Sequence, residues 1–328
     1  MEILEINPQT VEDVAEITKK MINETNKAII GKNEVLMKLM AAILTENGHI
    51  LLEDYPGLAK TLIANSFATT LGIEFKRIQF TPDLLPGDIT GGYIFDTHEN
   101  RFKLRKGPIF TQMLLADEIN RASPKTQSAL LEAMQELQVS LEGEKIKLVD
   151  PFIVIATQNP IEYEGTFPLP EAQLDRFLIR LSVGYPNFEE EKEILVQRGS
   201  RNQDNVELIP VISSQILLNM RQIVERVHVH PDIQEYIIQL VTSTRHHNQV
   251  ELGVSPRGSM ALFKLSKAWA AIHGRDYVLP DDVKTLTHDV FGHRIILDPN
   301  LWGSKTAVTR VIDEIIRKVA VPVLNCLT

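Results

Sequence analysis

The first half of the chain carries short apolar runs separated by helix-length stretches, a spacing typical of buried strands that alternate with helices. Each run is bounded by polar residues and is too short for a buried helix. The runs lie at residues 50–52, 75–80, 113–116, 152–156 and 177–183. This pattern predicts parallel strands in an α/β domain.

One helix and two hairpins can be placed around these runs. Residues 10–28 begin with Thr10, have Asp13 three positions later and repeat apolar residues on one face, which predicts an N-capped amphipathic helix. Residues 93–104 and 139–148 alternate apolar and polar positions around a polar tip. That alternation predicts two β-hairpins that project from the sheet.

Strand patterns fade after Pro186, and helix-start signals take their place. An N-cap residue or a first-turn proline opens each of the later apolar-periodic stretches. These starts are Asn187, Ser214, Pro231, Ser255-Pro256 and Pro280. We therefore expect an α/β domain over residues 1–186 and a small all-α domain over residues 187–328.

Composition narrows the class of protein. The 328 residues hold 34 Lys and Arg against 43 Asp and Glu, a net charge of −9, which argues against a nucleic-acid binder held by bulk charge. The single cysteine, Cys326, excludes an intrachain disulfide, and the acidic N-terminus lacks the pattern of a secretory signal. No apolar run approaches the ~18 residues that a membrane span needs. We expect a cytoplasmic protein without membrane contact.

The segment 53–61 joins the first strand to a helix predicted over residues 60–70. Backbone N–H groups at such a helix start, together with Lys60, suit a phosphate-binding loop. The pattern G-x-x-x-x-G-K-[ST] is incomplete, since Asp54 and Ala59 replace its glycines. The alanine is a small change if its φ is negative, whereas the Asp54 carboxylate would repel a polyphosphate. An ordinary strand–turn–helix corner is the alternative for this segment taken by itself.

Two further strand ends carry polar side chains. The run at 113–116 leads into Asp117 and Glu118, and carboxylates at the carboxyl end of a parallel strand lie in the crevice where ligands bind. Asp117 can hold Mg²⁺, and Glu118 can deprotonate an attacking water. Asn159 follows the run at 152–156 and could hydrogen-bond a γ-phosphate, although asparagine before proline is also a common turn. A solvated acidic strand end is the alternative for the two carboxylates.

Several linked motifs, in order from about residue 29 to residue 257, resemble those of the AAA+ ATPases, and closely those of the MoxR-type family. They read Y-P-G-L-A-K-T, F-T-P-D-L-L-P-G-D-I-T-G, L-L-A-D-E-I-N-R-A, I-A-T-Q-N-P and F-P-L-P-E-A-Q-L-D-R-F. The resemblance implies a P-loop NTPase fold of the AAA+ class, with a five-stranded parallel sheet, helices on both faces and a small all-α lid domain. It implies ATP and Mg²⁺ as cofactors. In that family an alanine such as Ala59 is usual, whereas Asp54 replaces a glycine.

The resemblance also assigns roles to single residues. It gives metal binding to Thr61 and Asp117, activation of water to Glu118 and the sensor 1 position to Asn159. The residues expected to bind nucleotide are Pro56, Gly57, Leu58, Ala59, Lys60 and Thr61 of the loop, joined by Ile30 and Gly31, which resemble the segment that packs on adenine. A helix end with a glycine cap is the alternative for Gly31.

Two arginines complete the expected site. Arg176, in L-D-R-F, resembles the arginine finger that is offered to the nucleotide of a neighbouring subunit. Arg257, in S-P-R, resembles sensor 2, which reaches the γ-phosphate of its own subunit. Phosphoryl transfer is accelerated mainly by positioned positive charge, so an arginine supplied in trans makes hydrolysis depend on assembly. A surface ion pair is the alternative for either arginine taken alone.

The hairpins and the histidines carry weaker signals. The hairpins resemble the helix-2 insert and the pre-sensor-1 insertion of this AAA+ subgroup. In the first hairpin Arg101, Lys103 and Arg105 share one face, which could touch DNA or an acidic client or could simply be solvated. The histidines at 228–230 and 246–247 lack the spacing of a metal site, so we expect them at helix ends.

The leading hypothesis is a Mg²⁺-dependent ATPase that assembles into a homo-oligomeric ring, a hexamer in the simplest case, and remodels or matures a protein client. The resemblance implies a partner with a von Willebrand A domain. Two alternatives stay open. One is a nucleotide-binding regulatory scaffold with weak hydrolysis, which rests on Asp54. The other is a DNA-associated motor, against which the net charge of −9 counts.

Overall fold

The computed structural model describes residues 7–160, 166–301 and 306–323. Cys326, the single cysteine, lies outside these ranges. Within them, helices are too short or too polar to cross a membrane.

Strands and helices alternate through the first half of the chain, and helices dominate the second half. The strands are β1 (Ile50–Glu53), β2 (Phe75–Gln79), β3 (Gly91–Asp96), β4 (Arg101–Lys106), β5 (Met113–Asp117), β6 (Gln138–Leu141), β7 (Glu144–Lys147), β8 (Ile153–Gln158), β9 (Ile179–Leu181), β10 (Val250–Leu252) and β11 (Ile296–Leu297). The helices are α1 (Val11–Thr25), α2 (Asn33–Leu44), α3 (Lys60–Thr70), α4 (Pro86–Thr90), α5 (Pro124–Glu136), α6 (Glu171–Leu174), α7 (Phe188–Arg201), α8 (Ser214–Glu225), α9 (Pro231–Arg245), α10 (Pro256–Ile272), α11 (Pro280–Phe291) and α12 (Ala307–Lys318).

A five-stranded sheet lies at the centre, in the order β2-β5-β8-β1-β9, and each neighbouring pair in it is parallel. These strands are the five apolar runs, so the α/β prediction is confirmed. Ile155 of β8 is level with Leu115 of β5 on one side and with Ile50 of β1 on the other. The carboxyl ends of β5, β8 and β1 therefore meet at one edge of the sheet, where ligands bind in open α/β sheets.

Alternate residues of each strand face opposite layers of the fold. Ile50 and Leu52 of β1 belong to a core that includes α1, α2, α3 and the C-terminal helices. Leu51, between them, belongs to a second core that includes α5. The period of two along a strand explains this division, and it confirms the expected helices on both faces of the sheet.

Both predicted hairpins are present. β3 pairs with β4 and β6 pairs with β7, each pair antiparallel. The rings of Phe95 and Phe102 meet edge to face at 5.3 Å on the first hairpin, where both are exposed. The hydroxyl of Tyr93 donates a hydrogen bond of 2.6 Å to Glu144, so the two hairpins touch each other.

Helix starts follow the predicted signals. Thr10 and Asp13 form a capping box at α1, and Asn187 and Glu190 form another at α7. A proline occupies the first turn of α9, α10 and α11. Helix α1 ends at Thr25, three residues before the end of the predicted span.

The C-terminal part adds one feature that the sequence pattern did not predict. A short antiparallel pair, β10 with β11, joins two of the connections between its helices. Helices α1 and α2 pack against α10, so the N-terminal helices contact the C-terminal ones. The division of the chain near residue 187 stays a prediction.

Candidate functional site

The loop between β1 and α3 has the backbone shape of a phosphate-binding loop. Gly57 has φ +85° and Ala59, at the N-cap of α3, has φ +53°. Helix α3 begins at Lys60, so the N–H groups of its first turn have no partner within the helix. We expected Ala59 to be a small change from glycine if its φ were negative, but its φ is positive. Its methyl group is held in the left-handed region, which costs about 1 kcal/mol relative to glycine.

The ammonium group of Lys60 lies inside this loop. It donates hydrogen bonds to the backbone carbonyls of Asp54 and Tyr55, at 2.5 and 3.0 Å. Burial lowers the pKa of Lys60, while the carboxylates around it act in the opposite direction. A half-buried cation held by two neutral carbonyl groups is well placed to exchange them for an anionic ligand.

The carboxylate of Asp54 is bonded to the segment that follows β9. It is buried and accepts hydrogen bonds from the hydroxyl of Ser182 at 2.8 Å and from the backbone N–H groups of Val183 and Gly184. These donors compensate the charge where it lies. The carboxylate is thus bonded to the segment after β9, yet its charge still acts on Lys60, so the effect of Asp54 on nucleotide affinity stays a prediction.

The segment expected to pack on adenine lies close to the loop. Lys32 donates a hydrogen bond of 2.9 Å to the carbonyl of Tyr185, and the ring of Tyr185 lies 6.3 Å from that of Tyr55 in the loop. Gly31 has φ +75°, and a Cβ atom there would collide with the side chain of Glu190. Since Gly31 precedes α2 and does not follow a helix, the helix-cap alternative does not apply.

Asp117, at the end of β5, is held on two sides. Its Oδ1 accepts a hydrogen bond of 2.6 Å from the hydroxyl of Thr157 on β8, and its Oδ2 accepts two from the guanidinium of Arg77 on β2, at 2.7 and 3.1 Å. The sequence reasoning missed both partners. They lie on the strands that flank β5, so only the strand order could have indicated them.

Glu118 is held on the strand side of the crevice. Its φ is +56°, and its backbone N–H donates to the hydroxyl of Thr157 at 2.8 Å. Its carboxylate accepts a hydrogen bond of 2.9 Å from the amide of Gln79 and lies 3.0 Å from Nε of Arg121. A base in this position must exchange these partners before it can bond to a water.

Asn159 follows β8, whose carboxyl end lies between those of β5 and β1. The strand order therefore brings Asn159 between the acidic pair Asp117–Glu118 and the loop that carries Lys60. Its backbone carbonyl lies within 3.4 Å of the Asn120 amide. Three of the predicted positions thus meet at one edge of the sheet.

Arg176 and Arg257 lie together at the other edge. Arg176 precedes β9, and Arg257 is in the first turn of α10, yet both line one cavity of about 420 Å³. Residues 46, 47 and 49, which lead into the amino end of β1, line it too. Nε of Arg176 is buried and finds no hydrogen-bond partner among the described residues. Neither Arg176 nor Arg257 forms an ion pair with a carboxylate among the described residues, so no such pair holds them in a structural role.

The prediction that Arg257 reaches the γ-phosphate of its own chain does not fit this placement. The phosphate-binding loop follows the carboxyl end of β1, whereas the cavity lies before its amino end. The strand alone separates these ends by about 10 Å, at about 3.3 Å per residue. Arg257 therefore lies with Arg176, on the side of the sheet that is far from the loop.

The cavity also contains a cation that the sequence reasoning missed. Lys264 lines it two turns after Arg257 on α10, and its ammonium group makes no ion pair within the described chain. The spacing of seven residues along a helix was visible in the sequence, but nothing there showed which face of α10 mattered. Arg294, also in the wall, is instead paired with Asp175 at 2.7 Å.

The residues at the loop edge fit Mg²⁺-ATP. The N–H groups at the start of α3 and the ammonium of Lys60 suit phosphate oxygens. A hydroxyl from Thr61 and a carboxylate from Asp117 are the oxygen ligands that Mg²⁺ prefers. Asp117 has its two oxygens on exchangeable side-chain donors, Thr157 and the half-exposed Arg77, so a hydrated cation could compete for it.

The basic face of the first hairpin is largely neutralised within the hairpin itself. Lys103 contacts the carboxylates of Asp96 and Glu99, and Arg101 contacts Glu99 as well. This pairing favours the solvated-face interpretation over a DNA contact. Of the histidines, His230 is the N-cap of α9 and His246 its C-cap, as expected.

The comparisons with known proteins agree with this geometry. The profile of the ATPase family associated with various cellular activities (AAA) matches residues 49–179, and that of the AAA lid domain matches residues 242–315. The chain is 47% identical to the uncharacterized protein YeaC of Bacillus subtilis (strain 168), over 95% of this chain and 97% of that protein. It is 40% identical to Chaperone MoxR1 of Mycobacterium tuberculosis, over 94% and 83%. A crystal structure of a Cytophaga hutchinsonii protein, 39% identical, superposes with a TM-score of 0.88 and covers 95% of this chain and 97% of that one.

Proposed function

The chain belongs to the MoxR family of AAA+ ATPases, and from this premise we propose that it hydrolyses Mg²⁺-ATP in a homo-oligomeric ring, a hexamer in the simplest case. We propose further that hydrolysis drives the remodelling or maturation of a protein client. The observation that carries the proposal is the division of the catalytic groups between two opposite edges of one sheet.

At the loop edge the chain binds and orients the nucleotide. The N–H groups of Gly57 to Thr61 and the ammonium of Lys60 bind phosphate oxygens, for which Lys60 gives up the carbonyls of Asp54 and Tyr55. Thr61 and Asp117 would hold the metal, and Thr157 keeps the Asp117 carboxylate in place. Bound Mg²⁺ supplies charge neutralisation on the phosphates.

Glu118 acts as the general base. Its carboxylate leaves Gln79 and Arg121, turns into the crevice and accepts a proton from a water that Asn159 also orients. Gln79 also accepts a hydrogen bond of 2.7 Å from Arg77, which binds Asp117. Movement of the Asp117 carboxylate when it binds the metal would therefore shift Arg77 and Gln79, and with them Glu118. The chain thus couples occupancy of the site to the position of Glu118.

Arg176 and Arg257 act on the nucleotide of the neighbouring chain. Both lie at the edge opposite to the loop, where they cannot serve the site of their own chain. In a head-to-tail ring that edge of one copy faces the loop edge of the next, and two guanidinium groups would then neutralise the charge that develops on the transferred phosphoryl group. We therefore propose that Arg257 acts as sensor 2 in trans, together with Arg176 as the arginine finger.

Client and compartment rest on weaker support. The chaperone name belongs to the Mycobacterium tuberculosis relative, and we carry it to this chain as part of the proposal, as we do a partner with a von Willebrand A domain. The single cysteine favours the cytoplasm. Nucleic acid is an unsuitable partner for a chain of net charge −9 in which Arg101 and Lys103 of the first hairpin are paired with carboxylates.

Substitution of Glu118 by glutamine tests the proposal. The E118Q protein should bind ATP as tightly as the unmodified protein in calorimetric titration, whereas its phosphate release should fall by about 10²-fold or more. Glu132→Gln, at an exposed position of α5, is the matched control and should leave both quantities unchanged. Undiminished turnover in E118Q would remove the general base and with it the proposed mechanism.

We propose hydrolysis in preference to the nucleotide-binding scaffold. The scaffold alternative rested on repulsion between Asp54 and a polyphosphate, and the Asp54 carboxylate is bonded to Ser182, Val183 and Gly184. A DNA-associated motor gains no support from the hairpin. We therefore retain a single proposed function.

A further inference from the structure

Helix α7 presents its apolar side to solvent. Phe188, Leu195 and Val196 are 80%, 69% and 57% exposed, and no residue of the helix is buried. At 100° per residue these three side chains lie within about 100° of one another around the helix axis, so they form one face. We call this set the outer face of α7.

The opposite side of the same helix faces the protein and carries Glu190, Arg201 and the less exposed Ile194. Glu190 lies against Gly31 and Lys32, and Arg201 reaches the carbonyl of Lys27. An amphipathic helix on a protein surface normally has the reverse orientation, with its apolar side inward. Three large apolar side chains side by side in water mark a surface that another protein covers.

The position of α7 indicates which protein covers it. The helix follows Tyr185, whose ring meets Tyr55 of the phosphate-binding loop, and its Glu190 contacts the segment expected to pack on adenine. The outer face therefore flanks the loop edge. If arginines from a second copy complete the nucleotide-binding site, that copy must approach this same edge.

The two surfaces also carry complementary charge. Glu189, Glu191 and Glu193 lie on the exposed sides of α7. The opposite edge of the sheet offers the cations Arg176, Arg257 and Lys264, all without carboxylate partners in the described chain, and beside them the half-exposed Met260. The glutamates in the first turns of α7 and its apolar face match these unpaired cations and the apolar Met260 beside them.

We propose that the outer face of α7 packs on a second copy of this chain, against the surface around Met260 that carries Arg176 and Arg257. The inference rests on the proposed function, since it requires the head-to-tail ring. It goes further in naming the helix that joins the copies. The same interface would then both join the copies and complete the nucleotide-binding site.

Sedimentation velocity of the full chain with Mg²⁺ and a non-hydrolysable ATP analogue tests the proposal. The unmodified protein should sediment as a large assembly. L195E and M260E should each sediment as monomers at the same concentration, while calorimetry shows analogue binding within about twofold of the unmodified protein, since neither residue touches the loop. Both positions are exposed, so folding should be unaffected.

Ile238→Glu is the matched control, because Ile238 on α9 is 58% exposed and lies outside both surfaces. It should assemble normally. V196E is a second test of the same face and should behave as L195E does. Normal assembly of L195E and V196E would overturn the inference while leaving the proposed function intact. A monomeric unmodified protein that binds the analogue would contradict the ring itself, and therefore both.

Discussion

The carboxylate of Asp54 accepts a hydrogen bond from the hydroxyl of Ser182 across 2.8 Å, and this bond ties the first residue of the phosphate-binding loop to the segment that follows β9. The neighbouring N–H groups of Val183 and Gly184 bind the same carboxylate. Asp54 therefore fixes the start of the loop to the segment after β9. A glycine at this position would leave those donors without their partner.

Removal of the Asp54 carboxylate should destabilise the protein without improving nucleotide binding. We expect Asp54→Gly to lower the free energy of unfolding by about 2–3 kcal/mol, because buried donors lose a charged acceptor. Urea denaturation measures this loss, and calorimetry should show ATP affinity equal to or lower than that of the unmodified protein. Tighter ATP binding without loss of stability would support the repulsion argument.

A glycine at position 59 should have the opposite effect on stability. Ala59 has φ +53°, a conformation that glycine adopts without strain, so Ala59→Gly should raise the free energy of unfolding by about 1 kcal/mol. Ala64→Gly, in the interior of α3, is the control and should lower it by about 1 kcal/mol or more. Equal losses in both variants would show that the loop does not hold this conformation in solution.

The sequence predicted the sheet, both hairpins and the phosphate-binding loop because each has a local signature. Strand burial, period-two alternation and the Lys60–Thr61 helix start can all be seen within a few residues. Partners across strands have no such signature. The bonds from Thr157 and Arg77 to Asp117 join residues about 40 positions apart, and they depend on the strand order.

The position of Arg257 likewise could not be predicted from local sequence. Its motif predicted a functional arginine, but the edge of the sheet at which it lies depends on how the C-terminal helices pack on α1, α2 and β9. Local sequence does not specify that packing. The left-handed φ of Ala59 was also hidden, because alanine gives no sign of the conformation that its neighbours impose.

Lys264 should contribute to turnover from the trans side. We expect Lys264→Met to lower ATP hydrolysis by about tenfold with little change in ATP affinity, since Lys264 lines the Arg176–Arg257 cavity, far from the loop of its own chain. Phosphate release and calorimetry measure the two quantities. Lys284→Met, on α11 and outside the cavity, should change neither. An unchanged rate in the Lys264 variant would exclude it from the composite site.

Stability should fall in mild acid because of His49. Burial lowers the pKa of His49 from 6.5 to about 4, and its ring bonds the carbonyl of Met134 and the N–H of Val154. Below pH 6.5 the His49 side chain takes up a proton in the unfolded chain but stays neutral in the folded chain. The free energy of unfolding is therefore highest above pH 6.5 and falls as the pH drops towards 4. The loss amounts to about 3 kcal/mol.

Urea denaturation at a series of pH values measures this loss. His49→Gln should start from a lower stability at pH 7 and show a shallower slope between pH 6.5 and 4 than the unmodified protein. His293, whose pKa burial also lowers, acts in the same direction and remains in both proteins. Identical slopes would mean that His49 takes up its proton in the folded state as readily as in the unfolded state.

Each catalytic site should take Lys60 from one chain and Arg176 from the next. The most direct measurement is the ATPase rate of an equal mixture of Lys60→Ala and Arg176→Ala chains, each inactive alone. Random assembly leaves about one site in four with both residues intact, so the mixture should recover about a quarter of the unmodified rate. A mixture no more active than the two variants measured separately would contradict the account.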